Sequence, residues 1–328
     1  MRRVTLAMLL SLALLPAARS QAKNQFLGRW DLDLIGVQGF HASWMGVSEK
    51  DGKLEVLFQA TEAHVAPVES ASVNGSHMTV TVSPATDRRP AKILELTVSG
   101  GKISGVQKTG NQTVSVTGVR APDLKRKTTV AWTDPVSLFD GKTLDGWEPV
   151  TNSAAIHWTV QDGMLINLEH GGNIKTTRNF NDFKLHYEVS CPPRANSGVF
   201  LRGRYEVQVD GGPGSPSQMA ANPRPGGRAG RGYNLPPNRS MGAVYGRLAP
   251  AVAVSTPADG WDKFDVTLVG RNVTVVRNGV TTIDHQEIEG ITGGALDANE
   301  GEPGPIYIQG DHTGNVKFRN ITVSVPKS

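Results

Sequence analysis

Between Val199 and Asp210 the chain alternates without a break: Val199, Leu201, Gly203, Tyr205, Val207 and Val209 at odd positions, Arg202, Arg204, Glu206, Gln208 and Asp210 at even ones. Side chains of a β-strand point to opposite faces in turn, so one strand over this segment sets five polar groups in a row at steps of roughly 6–7 Å. Arg, Glu and Gln suit the recognition of hydroxyl and carbonyl groups, and a carboxyl group can move a proton. Asn196-Ser197-Gly198 before the row and Gly211-Gly212 after it leave room at both ends. The plain alternative is a solvated sheet face, which most alternating strands present.

Other segments offer weaker chemistry. His186, with Lys184, Glu188 and Ser190, lies opposite Phe183, Leu185, Tyr187 and Val189 and is expected to face outward. Trp147, Trp158 and Trp261 fit core or rim packing better than stacking platforms. The stretch from Thr292 to Gly304 carries Asp297, Glu300 and Glu302, which reads either as a solvated loop or as a site for a divalent cation such as calcium. Gly211 to Met241 is rich in Gly, Pro and Arg, including Arg224, Arg228, Arg231 and Arg239, and reads as a lid or as a passive excursion. No Cys/His spacing fits zinc, and no Gly-rich stretch opens a helix after a strand, so neither zinc nor a dinucleotide is expected.

The elements that must position these groups are strands. Nearly every segment shows period-two alternation, abundant Val, Ile and Thr, and turns marked by Gly, Asn and Asp, so the fold class is all-β. From residue 24 to 120 short strands follow one another through turns such as Asp51-Gly52 and Gly100-Gly101, which predicts an antiparallel up-and-down β-barrel. Phe26-Leu27-Gly28-Arg29-Trp30 resembles the Gly-x-Trp opening of lipocalin-like barrels. Residues 121–135, with two prolines and Lys125-Arg126-Lys127, read as a linker to a second domain over 136–328.

Arg2 and Arg3, the apolar run from Val4 to Leu15, Pro16 and Ala18-Arg19-Ser20 form an expected export signal over residues 1–20. The run is shorter than the roughly 20 residues of a membrane span. The chain is therefore expected in the periplasm or outside a bacterial cell. Three of its net +4 charges belong to Arg2, Arg3 and Arg19, and no basic stripe points to nucleic acid. Cys191 is the single cysteine and cannot close an intramolecular disulfide.

Several motifs carry a family resemblance. Ser137-Leu138-Phe139-Asp140-Gly141-Lys142-Thr143-Leu144-Asp145-Gly146-Trp147 resembles the opening of the 3-keto-disaccharide hydrolase family. The likeness continues through Trp158 to Gly163, Asn196 to Gly203, Tyr205 to Val209, Gly242 to Gly246, Gly260-Trp261, Asn278-Gly279, Gly304 to Gln309 and Phe318 to Ile321, in order. The resemblance implies a concanavalin-like jelly-roll β-sandwich similar to laminarinase-type enzymes. It also implies cleavage of 3-keto-glycosides by elimination between C1 and C2 followed by hydration.

That chemistry needs a base near C2, donors for an enolate oxygen and a proton for the leaving oxygen. On this footing Glu206 or His312 is expected as the base, Arg202 on the ketone or enolate oxygen and Tyr245 as proton donor. Gln208 and Gln309, with Asp210 and Arg204, are expected to bind the substrate. A separate sugar 3-dehydrogenase is expected to make the ketone. Two alternatives stand beside this. In a laminarinase-like glycosidase, two carboxyls must lie about 5 Å apart; Glu206 and Asp210 are separated by roughly 13 Å of extended strand, which leaves this alternative a carboxyl on another strand as the partner of Glu206. The other is a carbohydrate-binding module without catalysis.

Overall fold

Apart from one three-residue 3-10 turn at Pro237–Arg239, all regular structure among the described residues is β-strand. The computed structural model describes residues 24–327 other than 38, 127–130, 152–155, 170, 213–235 and 311–313. The expected export signal, most of the Gly211 to Met241 stretch and His312 lie outside the described residues. No helix among the described residues is long and apolar enough to cross a membrane.

The first nine strands are β1 (Gly28–Ile35), β2 (Ala42–Lys50), β3 (Lys53–Gln59), β4 (Ala66–Pro67), β5 (Ser70–Asn74), β6 (His77–Ser83), β7 (Lys92–Ser99), β8 (Lys102–Thr109) and β9 (Gln112–Arg120). They form one antiparallel sheet in the order β4-β3-β2-β1-β9-β8-β7-β6-β5, so the meander folds back through the β1–β9 pairing. The sheet curls around Trp30, Leu32, Met45, Phe58, Val80, Leu94 and Ile103. Its ladder stops at β4 and β5, which remain its two ends rather than pairing into a closed barrel. Trp30 is wholly buried, donates from Nε1 to the Phe26 carbonyl at 2.7 Å, and carries the Arg120 guanidinium 3.9 Å above its ring.

The remaining strands form two facing sheets. One has the order β12 (Trp158–Gln161), β13 (Met164–Asn167), β22 (Lys317–Ser324), β15 (Phe183–Ser190), β18 (Asp262–Val269), β19 (Asn272–Arg277) and β20 (Val280–Glu287), with β10 (Val136–Ser137) added on β22. The other has the order β11 (Trp147–Pro149), β14 (Ile174–Phe180), β21 (Gly304–Ile308), β16 (Asn196–Leu201) and β17 (Tyr205–Asp210). Phe183, Leu185, Tyr187 and Val189 of β15 and Phe264, Val266 and Leu268 of β18 share the buried core with Val199, Leu201, Tyr205, Val207 and Val209. Burial of alternate side chains on the facing sheets is what makes a sandwich core. Trp147 and Trp158 are buried, each with its Nε1 on a backbone carbonyl, Leu138 and Gly172 respectively. Trp261 lies under the Arg319 guanidinium at 3.9 Å.

The two parts meet at β2, whose opposite faces belong to two separate cores. Met45 and Val47 point into the curled sheet, whereas Ala42 and Trp44 on the opposite face join the sandwich cluster. Arg247 covers the Trp44 ring at 4.2 Å and donates to Gln59 Oε1 at 2.9 Å and to the Ile291 carbonyl at 2.7 Å. Gly290 admits the indole: a Cβ there would lie 2.2 Å from Trp44 Nε1.

Candidate active site

The segment expected as one strand from Val199 to Asp210 is a hairpin. β16 ends at Leu201, the chain reverses through Arg202 (φ 53°) and Gly203 (φ 69°), and β17 begins at Tyr205. Two successive positive φ values, with Arg204 N–H donating to the Leu201 carbonyl at 3.0 Å, make the tight turn whose twist suits antiparallel strands. Arginine rarely adopts such a φ, so the sequence alternation concealed the reversal.

The turn separates the five-residue row. Arg202 is fully buried away from Glu206, where Nη2 donates to the Gly270 carbonyl at 2.8 Å and to the Tyr205 hydroxyl at 3.1 Å. Arg204 holds Asp297 through Nε at 2.8 Å and the Glu302 carbonyl through Nη1 at 2.8 Å. The acidic loop is thus engaged by arginines. Glu300, wholly buried, accepts from the Tyr205 hydroxyl at 2.7 Å and from Arg271 Nη1 at 3.2 Å. Among the described residues no group of three His, Cys, Asp or Glu side chains is arranged for a metal. Neither the expected place of Arg202 on a substrate oxygen nor a calcium-binding role for the Thr292 to Gly304 loop fits this packing.

Within the hairpin the alternation holds. Asn196 pairs with Asp210, Gly198 with Gln208 and Phe200 with Glu206, so these residues share the face of the five-stranded sheet turned away from the sandwich core. Tyr307 of β21 pairs with Phe200 and stacks on it with ring centroids 4.1 Å apart. The outer edge of β17 is covered: Gln208 N–H donates to the Ala243 carbonyl, Gly242 N–H to Gln208 and Tyr245 N–H to Glu206, at 2.8–3.0 Å. This pairing brings Tyr245 beside Glu206.

A cavity of about 130 Å³ opens on this face, lined by Asn196, Glu206, Gln208, Tyr245, Tyr307 and Gln309 together with Phe40 and Glu62. Of the expected site residues, Glu206, Gln208, Tyr245 and Gln309 are therefore assembled. Asp210 shares their face but accepts from Gly212 N–H at 2.7 Å beyond the cavity lining. His186 faces outward, as expected, and pairs with Asp265 at 2.8 Å. Asn196 and Tyr307 sit within the quoted motifs but carry no assigned role there. Phe40 and Glu62 belong to loops of the curled sheet, and no local pattern links them to β17.

The row expected as a polar surface is buried. Glu206 is 5 % exposed and Gln208 1 %. Burial holds the Glu206 carboxyl well above the ordinary carboxylate range, because the charged form loses its hydration. The Tyr245 phenol is raised by burial first and by Glu206 second, and the Tyr307 phenol by burial first, then Glu206 and Glu62. Gln208 Nε2 and Gln309 Oε1 are buried without a hydrogen-bond partner among the described residues. A donor and an acceptor of this kind, both lining a cavity, are suited to a hydroxyl-bearing guest. The arrangement supplies two carboxyls, Glu206 and Glu62, with two phenols and three amides around a small volume.

Residues 134–324, more than half of the chain, match the family described as the 3-keto-alpha-glucoside-1,2-lyase-like domain. Two solved structures of provisionally assigned glycosyl hydrolases from Parabacteroides distasonis are similar. One is 29% identical, covering 59% of this chain and 84% of the other, with a TM-score of 0.45. The second is 19% identical, covering 59% and 94%, with a TM-score of 0.46. Among curated proteins no sequence matches the chain.

Proposed function

Because the chain belongs to the 3-keto-alpha-glucoside-1,2-lyase-like family and is thereby a carbohydrate-active enzyme, we propose that it cleaves glycosides oxidised to a ketone at C3, by elimination and then hydration. The observation that carries this reading is the buried Glu206 carboxyl in a cavity lined by three amides, two phenols, the Phe40 ring and a second carboxyl, Glu62. A C3 ketone acidifies the hydrogen on C2, so one well-placed base suffices. A carboxylate stripped of water is a stronger base than an exposed one.

In this reaction the Glu206 carboxylate takes the C2 proton. The C–H electron pair becomes the C1=C2 double bond, the C1–O bond breaks, and the departing oxygen takes a proton from Tyr245. Water then adds in reverse: its hydroxyl goes to C1, its proton to the Tyr245 phenolate, and Glu206 returns a proton to C2. Gln208, Gln309 and Asn196 hold the ring hydroxyls and ketone, and Tyr307 flanks the ring. The ketone is made beforehand by a separate sugar 3-dehydrogenase, and the enzyme works after export.

The test offers the purified protein matched disaccharides with and without the C3 ketone, with and without chelator. Turnover of the oxidised sugar alone, with an unsaturated intermediate, is expected. Turnover of the unmodified sugar would make the protein a direct glycosidase, and binding of both without turnover a binding module.

A further inference from the structure

Nothing in the reaction just described requires residues 24–120, yet the curled sheet reaches into the cavity. The loop after β3 is seated between two segments of the sandwich: Thr61 accepts from Gly294 N–H at 2.8 Å, a Cβ at Gly293 would lie 2.6 Å from the Ala63 carbonyl, and one at Gly246 would lie 2.8 Å from His64 Cβ. The absence of side chains at Gly293 and Gly246 lets the loop sit this close, and the loop brings Glu62 to the cavity wall. The loop before β2 brings Phe40, whose ring stacks on Tyr307 with centroids 6.4 Å apart. Trp44, two strand positions from Ala42, anchors this loop in the sandwich core.

Phe40 also borders a second, larger space on the same sheet face, about 540 Å³, lined by Lys175, Asn179, Arg204 and Asp297. The ring is therefore a partition between a small compartment and an open polar groove. The compartment, about 130 Å³, has about a quarter of the volume of the groove, about 540 Å³.

We propose that the N-terminal sheet is a working part of the substrate site: Phe40 and Glu62 close the Glu206 compartment so that it admits only a terminal sugar ring, restricting the enzyme to short glycosides whose reacting ring stands at a chain end. Phe40 sets the length limit by blocking continuation of the chain into the groove, and the Glu62 carboxylate accepts hydroxyl protons of the enclosed ring. Both are specificity-determining residues. This inference rests on the reading of Glu206 as the reacting group.

The test uses the full chain and its Phe40→Ala, Phe40→Leu, Glu62→Gln and Glu206→Gln variants, each checked for an unchanged thermal transition. Turnover is measured with a 3-keto-disaccharide and with a trisaccharide carrying the ketone on its middle ring. Calorimetry measures binding of the unoxidised disaccharide and of an unoxidised trisaccharide capped at both end rings by bulky groups, so that only its middle ring could enter. Wild type is expected to prefer the disaccharide at least tenfold in both measurements. Phe40→Ala is expected to remove that preference mainly through KM, with Phe40→Leu restoring part of it, and Glu62→Gln is expected to weaken disaccharide binding about tenfold. Equal treatment of both sugars by wild type, or unchanged selectivity and affinity in Phe40→Ala and Glu62→Gln, overturns the proposal, as does a wild type that binds neither sugar. Failure of the chemistry looks different: no oxidised sugar is turned over, or Glu206→Gln stays active, while the binding data still decide the role of Phe40 and Glu62.

Discussion

The Glu206 carboxyl occupies the space that a side chain on Gly198 would fill: a Cβ built on Gly198 falls 2.4 Å from Glu206 Oε1 and 2.8 Å from its Cγ. The two residues face each other diagonally across the β16–β17 hairpin, beside the Gly198 and Gln208 pairing. Gly198 is thus the socket of the proposed base.

Gly198→Ala is accordingly expected to displace the carboxyl while leaving an ordinary strand backbone. Misplacement by about 1 Å of a reacting group can cost roughly 100-fold in rate. Steady-state kinetics should show a kcat loss of that order, with a thermal transition close to wild type.

Glu206→Gln removes the base and is expected to lower kcat/KM about 10²–10⁴-fold. In the wild type the ionised carboxylate is the active form, and burial has raised its pKa. Activity should therefore climb with pH through a limb lying well above the usual range for glutamate. A limb at an ordinary carboxylate pH would show that another group is titrating.

A second buried carboxyl bears on stability. Asp31 lies 3 % exposed against Glu300 across the contact between the two sheets' domains, and burial, then the charge of Glu300, raise its pKa to about 9. A raised carboxyl pKa means that the folded state holds a proton the unfolded chain releases. Its stabilising protonation is complete below about pH 4 and is lost as pH climbs toward 9. Asp31→Asn keeps a donor toward Glu300 without a charge, so denaturant titrations should show a flatter fall in stability across that window and a gain at pH 8.

Trp44→Ala vacates a site in the sandwich core and is expected to cost about 3–5 kcal/mol. Wild type should unfold in one transition by calorimetry, because Trp44 belongs to the sandwich core while Met45 beside it belongs to the other. The variant should split that transition in two.

Much of this was legible in the sequence because period-two alternation and turn residues report local geometry. The all-β class, the β17 face carrying Glu206 and Gln208, and the outward His186 follow from alternation alone. The Arg202-Gly203 reversal escaped it, since arginine seldom takes a positive φ and the polar pattern ran on through the turn. Arg202 and Arg204 consequently looked like site residues, whereas burial commits them to Gly270, Tyr205 and Asp297. Phe40 and Glu62 were invisible for a different reason. Their contacts join loops more than a hundred residues distant in sequence, and single-chain patterns carry no information at that range. The two-sided apolar character of Ala42-Ser43-Trp44-Met45 was the one available sign that β2 lies between two cores.

Trp44 also constrains how such a chain could have arisen. A sandwich that receives an indole from its neighbour carries a cleft at Gly290 when alone, so the two modules are not freely interchangeable parts. Recombination could attach a different leading domain to this sandwich only if the newcomer delivered a comparable ring to the same socket, and descent should therefore preserve the pair together.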